Sequence, residues 1–166
     1  MSIVNFLLWL HDTSFSGTLR GSTWAEPIVE TIHVLTLTVL LGFTVLLDLR
    51  LLGVAMRRKP VSDVLDQLNP PIIGAFWIML FSGALLFCGD PVAFYGTIFF
   101  RAKMIMLVLA VVNILIFNST LRRRITEWDR DPATPPMAKL AAIVSLVLWA
   151  AIIAAGRAIA YAVPPP

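Results

Sequence analysis

The polar and apolar positions of the chain fall into long blocks rather than alternating with the period of a strand. One apolar stretch runs from about Ile28 to Gly53, opened by Pro27, whose fixed φ and missing N–H suit the first turn of a helix. A second runs from about Ile72 to Cys88, preceded by Asn69-Pro70-Pro71 and closed by the helix-breaking Gly89-Asp90-Pro91. A third extends from about Ile98 to Leu121 and is the most polar, with Arg101 and Lys103 in its first turns and Asn113 and Asn118 within it. The fourth, from about Ala138 to Val163, is dense in alanine, and its only charge beyond Lys139 is Arg157. A helix needs roughly 20 apolar residues to cross the hydrocarbon of a bilayer. The pattern therefore predicts an all-α integral membrane protein, a four-helix bundle with spans at about 28–53, 72–88, 98–121 and 138–163.

Ahead of the first span, Ile3, Phe6, Leu7 and Leu10 recur at helical spacing over a run too short to span. Residues 1–27 are expected to form an outward-facing interfacial segment, with Trp9 and Trp24 at headgroup depth. No basic flank precedes this run and no small-residue cleavage pattern follows it soon after, so no signal peptide is expected. Residues 28–163 then make up the bundle. Asp131-Pro132-Ala133-Thr134-Pro135-Pro136 is a connector, and Pro164-Pro165-Pro166 is a stiff tail.

Composition agrees with this reading and narrows it. Of 166 residues, 58% are hydrophobic and only 14% charged, against about a quarter charged in an ordinary soluble domain. A disordered chain and a nucleic-acid binder are excluded, and the lipid bilayer is the expected environment. The basic balance, +3 with an isoelectric point near 9.5, is a property of loops at a membrane surface. Arg50, Arg57, Arg58, Lys59, Arg122, Arg123, Arg124, Arg130 and Lys139 fall on one side of the membrane, and only Arg20, Arg101, Lys103 and Arg157 on the other. The richer side is expected to be cytoplasmic, which places both termini outside a bacterial inner membrane. The single cysteine, Cys88, precludes an internal disulfide and a thiol-rich metal knuckle, so no metal site is expected. No phosphate loop, His-Glu-x-x-His, Cys-x-x-Cys or nucleophile elbow is present, and no catalytic residue can be assigned.

Ionisable residues within a span are costly unless they face one another or the bundle interior, which makes them the first candidates for function. Glu30 and His33 lie at i and i+3 near the outer end of the first span, Arg101 and Lys103 open the third at that end, and Arg157 and Tyr161 lie at i and i+4 near the outer end of the fourth. With a rise of ~1.5 Å per residue, all six reach one level about a quarter of the way into the membrane. Together they describe a polar cavity for an amphipathic molecule with an anionic or carbonyl-bearing head: a quinone, the propionates of a haem, or a lipid phosphate. Glu30 is positioned to fix the ring tautomer of His33. The structural alternative is that Arg101 and Lys103 snorkel to the interface and Glu30 pairs with either. Haem is disfavoured because only one histidine lies in a span. A second axial ligand would have to be His11, Met79, Met104 or Met106.

At the inner end Asp48 lies close to several cations and reads as a lock on topology. Asn113, in mid-membrane, is expected to bond across helices. Trp77 and Trp149 are assigned to packing, as are the small residues Gly74, Ser82, Gly83, Ala141, Ser145 and Gly156.

Glu30-Thr-Ile-His33, Leu47-Asp48-Leu49-Arg50-Leu51-Leu52-Gly53, Phe100-Arg101-x-Lys103 and Gly156-Arg157-x-Ile159-Ala160-Tyr161 together resemble an uncharacterised bacterial family of small four-span membrane proteins, over about Val29 to Tyr161. The general shape is also loosely similar to cytochrome b561 and to copper-resistance membrane proteins. The resemblance implies the four-helix fold and singles out Glu30, His33, Lys103 and Arg157, with no activity attached. It also implies a histidine in relatives where this chain has Asn118, a departure that puts a histidine-ligated cofactor at the inner end in doubt. The leading expectation is electron transfer through a bound quinone or haem. An accessory subunit of a larger membrane complex, or a homo-oligomer, is the alternative. A copper or solute transporter fits less well, because the spans lack Met or Cys ladders and broken-helix pairs.

Overall fold

The computed structural model describes residues 3–129 and 134–162, apart from the side chains of Arg124, Thr126 and Glu127. Arg130, Asp131 to Ala133 of the proline-rich connector, Val163 and the Pro164-Pro165-Pro166 tail lie outside the described residues. The four long apolar blocks form four long helices: α3 (Ala25–Leu51), α4 (Val61–Gly89), α6 (Ile98–Ile116, prolonged by a π-helical turn, Phe117–Leu121) and α8 (Pro136–Ala162). Two short helices, α1 (Ile3–His11) and α2 (Ser14–Gly21), precede them, while α5 (Pro91–Gly96) and α7 (Ile125–Trp128) lie in the connections. Each of the four long helices is long and apolar enough to cross a membrane. Their large side chains stand outward in numbers no water-facing surface would carry, among them Leu35, Trp77, Phe81, Ile105 and Val108, each more than 60% exposed. The chain is a multi-pass membrane protein.

α3 packs along α4, α6 packs along α8, and contact between α3 and α8 joins the two pairs. Their shared core holds Leu40, Ile72, Ala75, Met79, Ala110, Trp149 and Ile152, drawn from all four long helices. A second cluster, at the end bearing the Arg-rich turns, gathers Leu51, Val61, Leu65, Phe117, Trp128, Ala138 and Ala142. Trp149 therefore packs, as expected, whereas Trp77 is 63% exposed and faces outward. Asn113 bonds across helices, its Nδ2 donating to the Ala141 carbonyl at 3.0 Å.

The second span begins well before the expected residue 72. Val61, Val64, Leu65 and Leu68 recur at i, i+3, i+4 and i+7, and the first three are almost fully buried, so an amphipathic segment extends the helix back to Val61. Burial of each such side chain contributes roughly 1.5–3 kcal/mol. That is enough to hold the helix through Pro70 and Pro71, which lack the N–H groups that would bond to Asp66 and Gln67. Both of those residues are exposed, so water can satisfy the freed carbonyls.

The helix ends are closed by specific bonds. After α3, Gly53 takes φ +73, and the N–H groups of Gly53 and Val54 reach the carbonyls of Arg50 and Leu49, a glycine-terminated Schellman stop. Asp129 caps α4 from a distance, with Oδ1 accepting from Ser62 N at 2.8 Å and Oδ2 from Ser62 Oγ at 2.7 Å. Asp90 caps α5 and Thr97 caps α6 through the N–H groups of Ala93 and Phe100.

The N-terminal segment is two helices rather than one. Thr13 caps α2, and the fully buried Ser16 donates to the Gly89 carbonyl at 3.2 Å, satisfying an orphan group at the end of α4. Arg20 donates to the His11 carbonyl at 2.9 Å and to its ring, and the ring also lies 3.6 Å from Asp90. α1 and α2 are thereby tied to the turn after α4 at one end of the bundle, the capped end, opposite the Arg-rich basic end. Replacing Asp129 by Ala removes both bonds to Ser62 and is expected to cost about 1–2 kcal/mol. A lowered melting temperature in detergent checks this; an unchanged one contradicts the capping role.

Candidate functional site

The six residues assigned to one level do reach the capped end of the bundle, but they divide between its interior and its surface. Their helices have definite rotations, and only His33 and Lys103 turn inward. Glu30 is exposed, on the face of α3 where Pro27, Glu30, Thr31, Val34 and Leu35 line a shallow recess. Arg101 is exposed as well. Arg157 and Tyr161 meet each other on the outer face of α8, with Nη2 3.0 Å from the phenol oxygen and the guanidinium 4.8 Å above the ring. Among the described residues, neither Glu30 nor Lys103 has an ion-pair partner within 4.0 Å. The expected pairing of Glu30 with Arg101 or Lys103 is absent there.

His33 is oriented by Ser82 rather than by Glu30. Its Nδ1 lies 2.9 Å from Ser82 Oγ, and Ser82 is itself buried and places its hydroxyl 2.8 Å from the Ile78 carbonyl. A hydroxyl has one proton; with that proton given to Ile78, the ring must supply Nδ1–H to Ser82. A neutral His33 thus keeps Nε2 free as an acceptor. Lys103 is half-buried on α6, close enough for its charge to act on the ring, and its Nζ packs toward Gly156 of α8.

Two glycines make room for this pair. A Cβ on Gly83 would stand 3.1 Å from His33 Cε1, and one on Gly156 would stand 3.4 Å from Lys103 Nζ. Sequence reasoning places Ser82, Gly83 and Gly156 in helix packing. Their contacts with His33 and Lys103 are set by helix rotation, for which spacing along a single helix carries no signal.

The level is closed above and below by apolar groups. One turn toward the capped end, Phe87 of α4 stacks on Phe100 of α6 with centroids 5.1 Å apart, and Phe94 of α5 leans on the same ring at 6.1 Å. One turn deeper lie Leu37, Met79, Met106 and Ile152, one from each long helix and all in or against the shared core. An imidazole and an ammonium therefore both turn into one thin polar layer of the bundle, with aromatic rings one turn nearer the capped end.

Fold and site together define a small four-helix integral membrane protein with one histidine and one lysine turned into the bundle. Over residues 6–162 the chain matches the model of a family of unknown function, DUF6644, and it belongs to that family. No curated protein and no solved structure matches it, so nothing supports the loose similarity to cytochrome b561 or copper-resistance proteins.

The contacts at Gly83 give a direct check on the orientation of His33. Gly83→Ala is expected to displace the imidazole and shift its ring resonances. Gly74→Ala, where nothing lies within 4 Å of the added methyl, is expected to leave them in place. Equal spectra for the two variants would contradict the packing described.

Proposed function

We propose that this protein binds a redox-active amphipathic molecule, a quinone in preference to a haem, with its head at His33 and Lys103 and its tail among the lipid-facing helices, and that it serves electron transfer in a bacterial inner membrane with both termini outside. The observation that carries the reading is the Lys103 ammonium, half-buried in a lipid-embedded bundle and without a carboxylate partner among the described residues. A charge so placed calls for an acceptor supplied from elsewhere. His33 Nε2 offers the complementary function one helix away. A quinone head has carbonyl oxygens to accept from Lys103 when oxidised and hydroxyl groups to donate to Nε2 when reduced. The aromatic screen of Phe87, Phe94 and Phe100 favours a ligand that arrives from lipid over one that arrives from water.

Haem is the weaker fit. His33 can offer Nε2 to an iron, but His11 is occupied by Arg20 and Asp90, which leaves no second histidine for the opposite face. The chain's own contribution under this proposal is to bind the head, orient it and hold a proton acceptor beside it. The electrons pass to or from a redox partner outside the chain, which joins this reading to that of a subunit within a larger membrane complex.

Purification in mild detergent, followed by solvent extraction, tests the proposal. Quinone is expected to travel with the wild-type protein. Lys103→Met removes a charge-assisted hydrogen bond, for which a loss of about 1.5–3 kcal/mol, roughly 10- to 150-fold in affinity, is expected. His33→Ala is expected to weaken binding in the same direction. Wild-type protein that carries neither quinone nor a Soret band, or variants that retain full ligand content, would remove this reading.

A further inference from the structure

At the basic end, a second polar group lies in the bundle without a full set of partners. Asp48 sits on α3 three residues before the helix ends and is only 4% exposed. The Ser145 hydroxyl of α8 lies near its carboxyl group, but Oδ2 is buried with no hydrogen-bond partner. The surroundings are closed: Thr44, one turn deeper on α3, is 6% exposed, and Ala142, one turn from Ser145 on α8, is fully buried.

The cations that the sequence places nearby are engaged elsewhere. Arg50, two residues along α3, donates from Nε and Nη2 to the Lys59 carbonyl at 3.0 and 2.7 Å and lies in the field of Asp129. Arg122, at the end of the π-helical turn, lies 3.8 Å from Asp66, which α4 carries on its exposed side together with Asp63. Lys139 of α8 is exposed. Among the described residues, no basic side chain lies within 4.0 Å of Asp48. Among the described residues, the arginines near Asp48 in sequence therefore form no salt bridge with it.

An enclosed carboxylate with one oxygen unpartnered and no counter-charge is among the most costly arrangements a bundle can hold. The least costly remedy is neutralisation by a small cation from solution, and the position of Asp48 suits this, because a single helical turn separates it from the Arg-rich surface. We propose that Asp48, with the Ser145 hydroxyl beside it, is an exchangeable-cation site that holds a proton or Na⁺ taken up from the basic end. The unpartnered Oδ2 is the binding atom, and Ser145 holds the carboxyl group toward α8. The site is independent of the His33–Lys103 layer, which lies near the opposite end of α3.

Labelling of the full-length protein in liposomes by dicyclohexylcarbodiimide, a lipid-soluble reagent for protonated carboxyl groups, tests this when the adduct is mapped by peptide mass spectrometry. Infrared spectroscopy reads the protonated-carboxyl band in parallel. Asp48 is expected to carry the label, and Asp48→Asn, which is neutral and nearly isosteric, is expected to fold with loss of both label and band. Label and band indifferent to Na⁺ identify the proton as occupant, whereas dose-dependent loss of both on adding Na⁺ identifies Na⁺; either supports the site. Wild-type protein with neither label at Asp48 nor a protonated-carboxyl band, with Na⁺ present or absent, overturns it. The deciding measurement is made on wild-type protein and does not depend on how well the variant folds.

Discussion

Lipid offers a polar group no partner, so each polar atom in the bundle must find one in another helix or accept one from outside. That constraint organises this protein more than any single apolar contact does. Where a partner is available within the chain, it is used: Asn113 donates to the Ala141 carbonyl, Ser82 returns its proton to Ile78, and Arg157 turns outward onto Tyr161. The groups that remain unmet are few and they are separated. Among the described residues, Lys103 lies toward the capped end without an ion-pair partner, and the buried Asp48 Oδ2 and Trp128 Nε1 lie toward the basic end without a hydrogen-bond partner. Both places keep ionisable groups that apolar residues could have replaced at a gain in stability, which is why function is sought there and not along the lipid-facing surface.

The neighbours of the His–Lys pair follow from the same constraint. A side chain larger than hydrogen at position 83 would press on the imidazole, so α4 presents glycine there, whereas a methyl at position 156 would just meet the Lys103 ammonium. The aromatic contact of Phe87 with Phe100 closes the polar layer one turn above, and the shared core closes it one turn below. A thin polar stratum between two apolar ones raises the strength of any hydrogen bond made within it and excludes competing water.

The long spans and the depth of the ionisable residues are legible in sequence because both are one-dimensional: a hydropathic block counts residues, and depth counts turns. Rotation about the helix axis is not legible. Glu30 and His33 sit three residues apart and share a depth, yet one faces outward and the other inward, because α4 supplies Ser82 and a glycine at only one azimuth. Depth alone places Arg157 inward, although its neighbour Gly156 is the residue that touches Lys103. The start of α4 escapes the sequence for a different reason. Pro70-Pro71 is a strong local stop signal, and the burial of Val64, and of Val61 and Leu65 within the second cluster, overrides it.

Asp48 shows how proximity in sequence misleads about charge. Arg50 lies two residues along the helix, and positions i and i+2 on a helix face different directions. The arginine therefore serves the Lys59 carbonyl and the field of Asp129, helping to seat the turn that leads into α4. The aspartate faces Ser145 instead. The same rotation that fixes the turn after α3 thus leaves the carboxylate without a counter-charge among the described residues. A bundle that needed Asp48 only for topology would be served as well by a carboxylate on the exposed side, where Asp63 and Asp66 already lie.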